Sequence, residues 1–211
     1  MAQMMMERPP SGLFEGLEKI SATQELGVEH AVLDRIMLAM DRTLKMASSG
    51  GKSDLSVVNR GCDMIGQVVD RHHMKVEEDM VYPKFENTKL ADLASTLQSQ
   101  HDEMRKMVAR MGDLSKTGAV RDKSEMDQLL DTFKNFRRMV MAHAAWEETV
   151  MFPCVEGTWS RDELKRLKEQ QEEHEKELLG KDASMKVYSM LADLEKSAGI
   201  TGIEDLTRPA R

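Results

Sequence analysis

One pattern of histidines and glutamates occurs twice in the sequence, and it constrains the fold more than any other feature. The spacings after the second histidine of each copy are identical, and the first histidine precedes the second by 43 residues in one copy and by 42 in the other. The first copy consists of His30, His73, Glu77, Glu78, Tyr82 and Pro83, and the second of His101, His143, Glu147, Glu148, Phe152 and Pro153. This repeat predicts two helical hairpins of the same kind, which together make a four-helix bundle.

Four segments of the chain carry apolar residues at every third or fourth position, the pattern of a helix with one buried face. Each histidine of the repeat lies on the apolar stripe of its segment, and the first glutamate of each pair does too. We expect the second and fourth helices to stop at Pro83 and Pro153. The segments run from Leu26 to Leu44, from Leu55 to Met80, from Leu90 to Met111 and from Met126 to Val150.

The predicted fold is all-α, an up-down four-helix bundle with two additional C-terminal helices near residues 160–180 and 182–198. We assign residues 1–22 to an N-terminal extension, 23–156 to the bundle and 157–211 to a helical extension packed on it. The composition of 40% hydrophobic, 32% charged and 4% aromatic residues is typical of long helices.

Charge and hydropathy exclude several classes of partner. The net charge of −7 argues against nucleic acid, because phosphate binding relies on clustered Lys and Arg. No stretch is apolar enough to span a membrane or to act as a secretion signal, so we expect a soluble, cytoplasmic protein. The two cysteines, Cys62 and Cys154, form neither a CxxC motif nor a disulfide framework, and we interpret them as reduced packing residues.

The positions of the repeated residues favour a metal site. A histidine and a glutamate four residues apart project from the same side of a helix, and such a pair is usually a surface ion pair. Here both pairs lie on apolar stripes, where an unpaired carboxylate costs several kcal/mol of desolvation. A metal-free hydrogen-bonded network is the alternative. Four imidazoles and two carboxylates are donors suited to iron or manganese, so we predict a two-metal centre with iron as the favoured metal.

Together with the segments EEDMVYP and EETVMFP, the repeated residues resemble the hemerythrin HHE cation-binding family, in its four-His, two-Glu type, over roughly residues 24 to 155. The resemblance implies a di-iron centre with an oxo or hydroxo bridge, in which Glu77 and Glu147 bridge the two ions. It further implies that four histidines supply terminal nitrogens, namely His30, His73, His101 and His143. A manganese or mixed-metal centre stays open as an alternative.

One departure from the family bears on function. Oxygen-carrying hemerythrins have a further ligand histidine one turn after the third-helix histidine, where this chain has Arg105. The missing nitrogen leaves a coordination position for water or another ligand. Members of the four-His type take part in iron-centre repair, nitric oxide response, or peroxide and oxygen chemistry, which are oxidative and nitrosative stress functions.

Three functional hypotheses follow. The first is a di-iron protein that binds or reduces dioxygen, peroxide or nitric oxide, as an oxidoreductase if it turns over, with an unidentified electron donor. The second is an iron- or oxygen-sensing or iron-handling module without turnover. The third is a purely structural bundle.

The residues next to the predicted ligands receive simpler interpretations. His72 is rotated about 100° from His73 around the helix, so we expect it not to be a ligand. His174 lies in an acidic, exposed helix and is left out of the site. We interpret Glu78 and Glu148 as solvated carboxylates rather than outer partners of the histidines. The residues expected to wall the pocket are Tyr82 and Trp146.

Overall fold

The computed structural model describes residues 20–50, 54–120 and 122–207, and this part of the chain is helical apart from short turns. The α-helices are α1 (Ala22–Ser48), α2 (Ser56–Met64), α3 (Ala91–Ser115), α4 (Lys123–Trp146), α5 (Phe152–Thr158), α6 (Arg161–Leu179), α7 (Ala183–Ser197) and α8 (Glu204–Thr207). The other helical segments are the π-helices π1 (Ile65–Met74), π2 (Glu77–Val81) and π3 (Glu147–Met151) and the 3-10 helix Tyr82–Phe85. The predicted all-α fold is confirmed.

Local sequence signals fix several of these helix ends. The Ser160 hydroxyl accepts a hydrogen bond from the Glu163 backbone, and the Glu163 side chain accepts one from the Ser160 backbone, which starts α6 with a capping box. At its other end, Gly180 has a φ of +91°, a conformation that favours glycine. The bounds of α6 and α7 agree with the two helices predicted beyond the bundle.

Both prolines of the repeat follow a π turn, but the chain continues differently after each: the 3-10 helix that contains Pro83 ends at Phe85, whereas a new α-helix contains Pro153. The amide of Tyr82 donates to the Glu77 carbonyl, five residues back, and the equivalent bond joins Phe152 to Glu147. Proline lacks an N–H and its ring crowds the carbonyl four residues earlier, so a widened turn before it relieves both problems. The predicted stop at Pro153 is wrong, since α5 continues to Thr158 with the proline in its first turn, where no N–H is needed.

The bundle places a polar layer between two apolar clusters. The larger cluster draws on α1 to α4 and π1, and it includes Ile36, Val58 and Phe136, all fully buried. The smaller one lies around Leu26 and Leu97, on the other side of the histidines along α1 and α3. Helix α7 packs on α1 and α2, and α6 packs on α1 and π1. The repeated histidines therefore lie within the protein interior.

Two further predictions concern the rest of the chain. In the described ranges, no helix combines the length and the apolar character that a membrane span requires. Both cysteines are free thiols, Cys62 buried and Cys154 partly buried. The predicted N-terminal extension lies outside the described residues except for 20–22.

Candidate metal centre

The structure brings all six residues of the predicted site together in the polar layer. Helix α1 supplies His30, π1 supplies His73, α3 supplies His101 and α4 supplies His143, while the two glutamates are the first residues of π2 and π3. The donor atoms form two overlapping groups, and within each group they lie within 4.8 Å of one another. The groups are His30, His73, Glu77 and Glu147, and Glu77, His101, His143 and Glu147. Each group thus takes two imidazoles from one half of the repeat and shares both carboxylates.

The Nε2 atoms of the four imidazoles face the two carboxylates. Glu147 Oε2 lies 3.2 Å from Nε2 of His30 and 3.2 Å from Nε2 of His143. Glu77 Oε2 lies 3.4 Å from Nε2 of His73 and 3.5 Å from Nε2 of His101. Both glutamates are fully buried, so this convergence is shielded from water.

The Nδ1 atoms of the same imidazoles point outward, and each has a partner. His30 donates to Glu148 at 3.0 Å and His101 to Glu78 at 2.9 Å, so each half of the repeat supports a histidine of the other half. Within the halves, His73 donates to Glu29 Oε2 at 2.8 Å and His143 to Gln100 Oε1 at 3.0 Å. Such partners fix the Nδ1–H tautomer and turn the Nε2 lone pair towards the centre.

These contacts correct the interpretation of Glu78 and Glu148 as solvated carboxylates, since both accept hydrogen bonds from site histidines. Sequence reasoning missed Glu29 and Gln100 altogether. Their signal was the repeat itself, because each stands one residue before the first histidine of its copy.

Several buried atoms at the centre have no hydrogen-bond partner. They are His30 Nε2, both carboxylate oxygens of Glu77 and Glu147 Oε2. In addition, Nε2 of His101 and Nε2 of His143 lie 3.0 Å apart. Unpaired buried polar atoms are rare, and a cluster of them signals a missing ion or water. The unpaired atoms and the mixed N and O donors both fit a pair of transition-metal ions.

The electrostatics of the two glutamates also fit a cation site. Burial raises the pKa of Glu77 well above its usual value, and the neighbouring Glu147 carboxylate raises it further. Burial acts on Glu147 in the same direction, but the His143 and His30 imidazoles, each 3.2 Å from Oε2, outweigh it and lower the pKa. Without a cation, the centre therefore keeps a proton on Glu77 to separate two like charges.

Two of the imidazoles are held neutral, which is the state that binds metal. Burial lowers the pKa of His73 to about 4, even though the hydrogen bond to Glu29 opposes that shift. Burial also lowers the pKa of His101, against the effect of Glu78. Their Nε2 lone pairs are therefore available to coordinate a metal ion at neutral pH.

Aromatic side chains close one side of the centre. The buried Tyr82 hydroxyl donates to Glu147 Oε1, and burial raises the pKa of this phenol, so it stays protonated. At the equivalent position of the repeat, Phe152 stacks on His30 with ring centroids 5.9 Å apart. The expectation that Trp146 walls the pocket is wrong, because its side chain is 56% exposed. It follows Ala145 on the outer face of α4.

The opposite side of the centre contains a small cavity. It is lined by the four histidines and by apolar side chains, and about 10 Å³ of it is open to a water-sized molecule. This is close to the minimum that holds one water. The apolar side chains are Leu33, Val69, Met74, Met104, Val140 and Ala144.

The residues around Glu78 and Glu29 extend the outer contacts. Arg105, at the position of the absent fifth histidine, binds Glu78 at 2.8 Å and Asp70 at 2.6 Å. His72 lies outside both donor groups, and its Nε2 contacts Glu29 Oε1 at 3.2 Å. Its Nδ1 is 3.1 Å from Nδ1 of His174 on α6. His174 is thus linked to the centre through His72 and Glu29, which its position in an acidic helix did not predict.

Comparisons with known proteins agree with the geometry. The family model described as the hemerythrin HHE cation binding domain matches residues 21–122 and again residues 92–199. Uncharacterised proteins of Mycobacterium bovis and of two strains of Mycobacterium tuberculosis are each 30% identical to this chain over 189 residues. The alignment covers 89% of this chain and 74% of each of those proteins.

Proposed function

The chain belongs to the hemerythrin HHE cation-binding family, and from this premise we propose that it holds a non-haem di-iron centre that binds or reduces a small oxidant. The observation that carries the proposal is the convergence of four imidazole Nε2 atoms on two buried carboxylates, of which both oxygens of Glu77 and Oε2 of Glu147 have no hydrogen-bond partner. The ligands would be His30, His73, His101 and His143, with Glu77 and Glu147 between the two ions. Manganese or a mixed pair would be held by the same donors.

Bound iron would supply electrons through a change of valence, and the residues would supply position and exclusion of water. Each donor group has two nitrogens and shares two carboxylates, and an ion held by so few donors would keep positions open for an exogenous ligand. The cavity beside the imidazoles supports a ligand of very few atoms, because it has room for about one water-sized molecule. Its apolar walls favour a weakly hydrated molecule such as dioxygen or nitric oxide over a charged substrate.

Tyr82 would hold the shared carboxylates in place. Its hydroxyl donates to Glu147 Oε1, which leaves Oε2 to face the imidazoles. Since its pKa is raised by burial, the phenol acts as a hydrogen-bond donor and does not serve as a base near neutral pH.

The test is metal analysis and optical spectroscopy on protein purified without oxygen. We expect about two iron ions per chain, and a visible absorption change when peroxide, dioxygen or nitric oxide is added to the reduced protein. The variant Glu147→Gln should lose the change, while Gln98→Glu, an exposed substitution on α3, should keep it. Protein that takes up no metal after anaerobic reconstitution would contradict the proposal.

A sensing function is the second candidate, and one contact favours it. Through His174, His72 and Glu29, helix α6 is joined to His73, so the state of the centre can affect a helix outside the bundle. In that case metal or oxidant should slow hydrogen exchange in α6 with no turnover of the oxidant. Identical α6 exchange in metal-free and loaded protein would exclude it.

A further inference from the structure

The two halves of the centre differ in the residues that support their imidazoles. The repeat places Glu29 and Gln100 at equivalent positions, each one residue before the first histidine of its copy. Glu29 accepts from His73, whereas Gln100 accepts from His143. One histidine therefore has a carboxylate behind it where its counterpart has a neutral amide.

The other pair of outer partners increases the difference. Glu148 behind His30 and Glu78 behind His101 are both carboxylates, but only Glu78 is paired with a guanidinium, that of Arg105 at 2.8 Å. The imidazoles of the first donor group, His30 and His73, thus donate to two carboxylates that no arginine in the described part of the chain contacts. Those of the second group, His101 and His143, donate to a carboxylate neutralised by Arg105 and to an amide.

The contacts around Glu29 hold its carboxylate in place. Oε2 lies 2.8 Å from Nδ1 of His73, and Oε1 lies 3.2 Å from Nε2 of His72. His72 is itself positioned by His174, since a hydrogen bond between their Nδ1 atoms holds one ring against the other. The Glu29 carboxylate is therefore held in one orientation, with Oε2 facing His73.

A carboxylate behind an imidazole makes it a stronger metal ligand than an amide does. The charge-assisted hydrogen bond polarises the Nδ1–H bond and raises the electron density at Nε2. The 2.8 Å contact of His73 with Glu29 is also shorter than the 3.0 Å contact of His143 with Gln100. Loss of an outer partner typically lowers metal affinity by 10- to 100-fold.

We propose that the two metal positions are inequivalent, and that the position bounded by His30 and His73 fills first and binds more tightly than the one bounded by His101 and His143. This rests on the proposed function as a two-metal protein. Glu29 acts as a positioning residue through His73, and Gln100 is the residue that sets the second position apart.

The experiment titrates metal-free protein, labelled with 15N in its histidines, with Zn²⁺ as a diamagnetic probe. The Nε2 resonances report each imidazole separately, and each is assigned by replacing one histidine with glutamine. We expect the first equivalent of Zn²⁺ to shift His30 and His73, and the second to shift His101 and His143. The preference should be about 10- to 100-fold.

Exchanging the two outer residues supplies the decisive variant. Glu29→Gln should reduce the preference to the part that Arg105 behind Glu78 contributes, and Glu29→Gln combined with Gln100→Glu should reverse the order of filling. Gln98→Glu adds the same charge to the exposed face of α3 and should leave the order unchanged. If the two metal positions of the double variant fill together, or in the same order as in the parent, the inference is overturned. If Zn²⁺ shifts no histidine resonance of the parent, the two-metal function itself is contradicted.

Discussion

Substituting the two buried glutamates one at a time should destabilise metal-free protein to very different extents. Glu77 and Glu147 occupy equivalent positions of the repeat and are equally buried. Their partners differ, because Glu147 receives the Tyr82 hydroxyl and lies 3.2 Å from two imidazoles, whereas neither oxygen of Glu77 has a hydrogen-bond partner. The raised pKa of Glu77 means that this residue is a neutral acid when no metal is bound.

These contacts set the expected magnitudes. Glu77→Gln replaces a neutral carboxyl group with a neutral amide of the same shape, so the free energy of unfolding should change by less than about 1 kcal/mol. Glu147→Gln removes the charge that two buried imidazoles face. Breaking a buried pair in this way costs about 3 kcal/mol, and for a chain of this length it should lower the melting temperature by roughly 6 to 12 °C.

The assay is urea denaturation at pH 7 in the presence of a chelator, followed by circular dichroism. Iron is then added back anaerobically, and both variants should fail to gain the stability that the parent gains. Equal destabilisation by the two substitutions in chelator would refute the reasoning, because it would mean that Glu77 is ionised and paired like Glu147.

Four further outcomes are expected. Iron at about 100 times its dissociation constant should stabilise the parent by about 2.7 kcal/mol, measured by denaturation with and without metal. Apparent metal affinity should rise with pH, because metal must displace protons from Glu77 and His30. Burial lowers the pKa of His30, but the neighbouring carboxylates of Glu147 and Glu148 outweigh burial and raise it, and the pKa of Glu77 is raised as well. Calorimetry in buffers of different ionisation enthalpy measures the number of protons released on metal binding. The pKa of Glu29 is about 2 in the folded protein against 4.5 for the unperturbed group, so its ionised form stabilises the fold above pH 4.5. This contribution, of order 3 kcal/mol, is lost as the pH falls towards 2. In acid unfolding, the free energy of unfolding of Glu29→Gln should therefore fall less steeply with decreasing pH than that of the parent. Phe136→Ala should cost about 3 to 5 kcal/mol by calorimetry, since the ring is fully buried in the larger cluster.

The fold could be predicted from the sequence because the burial of one face of each helix gives its apolar residues a regular spacing. Apolar residues at every third or fourth position define the buried face of each helix, and capping residues such as Ser160 and Gly180 mark the ends of α6. What failed was the rule that proline ends a helix. At Pro153 the π turn before the proline lets the helix continue, and the proline lies in the first turn of α5, where no N–H is needed.

The inner residues of the site were easier to find than the outer ones for a physical reason. A histidine on an apolar stripe is conspicuous, because a polar group there needs a partner. Glu29, Gln100, Glu78 and Glu148 lie at the borders of the stripes, where charged residues are usually solvated. Their contacts cross from one helix to another, as when Glu148 on π3 meets His30 on α1, and these depend on how the helices are rotated. The repeat marks Glu29 and Gln100 as equivalent positions, but which histidine each of the four residues supports follows from the packed bundle.

The polar layer is better explained by metal binding than by a hydrogen-bonded network. A network is stabilising only when every member is satisfied, because an unpaired buried polar atom costs about 1 to 3 kcal/mol. Here the outer Nδ1 atoms are all paired, while both oxygens of Glu77, Oε2 of Glu147 and Nε2 of His30 are not. A sequence selected for a stable core alone would satisfy the inner atoms or replace them with apolar groups, which is often neutral or stabilising. An outer shell that is complete around an inner shell that is incomplete is the arrangement expected when cations complete the inner shell.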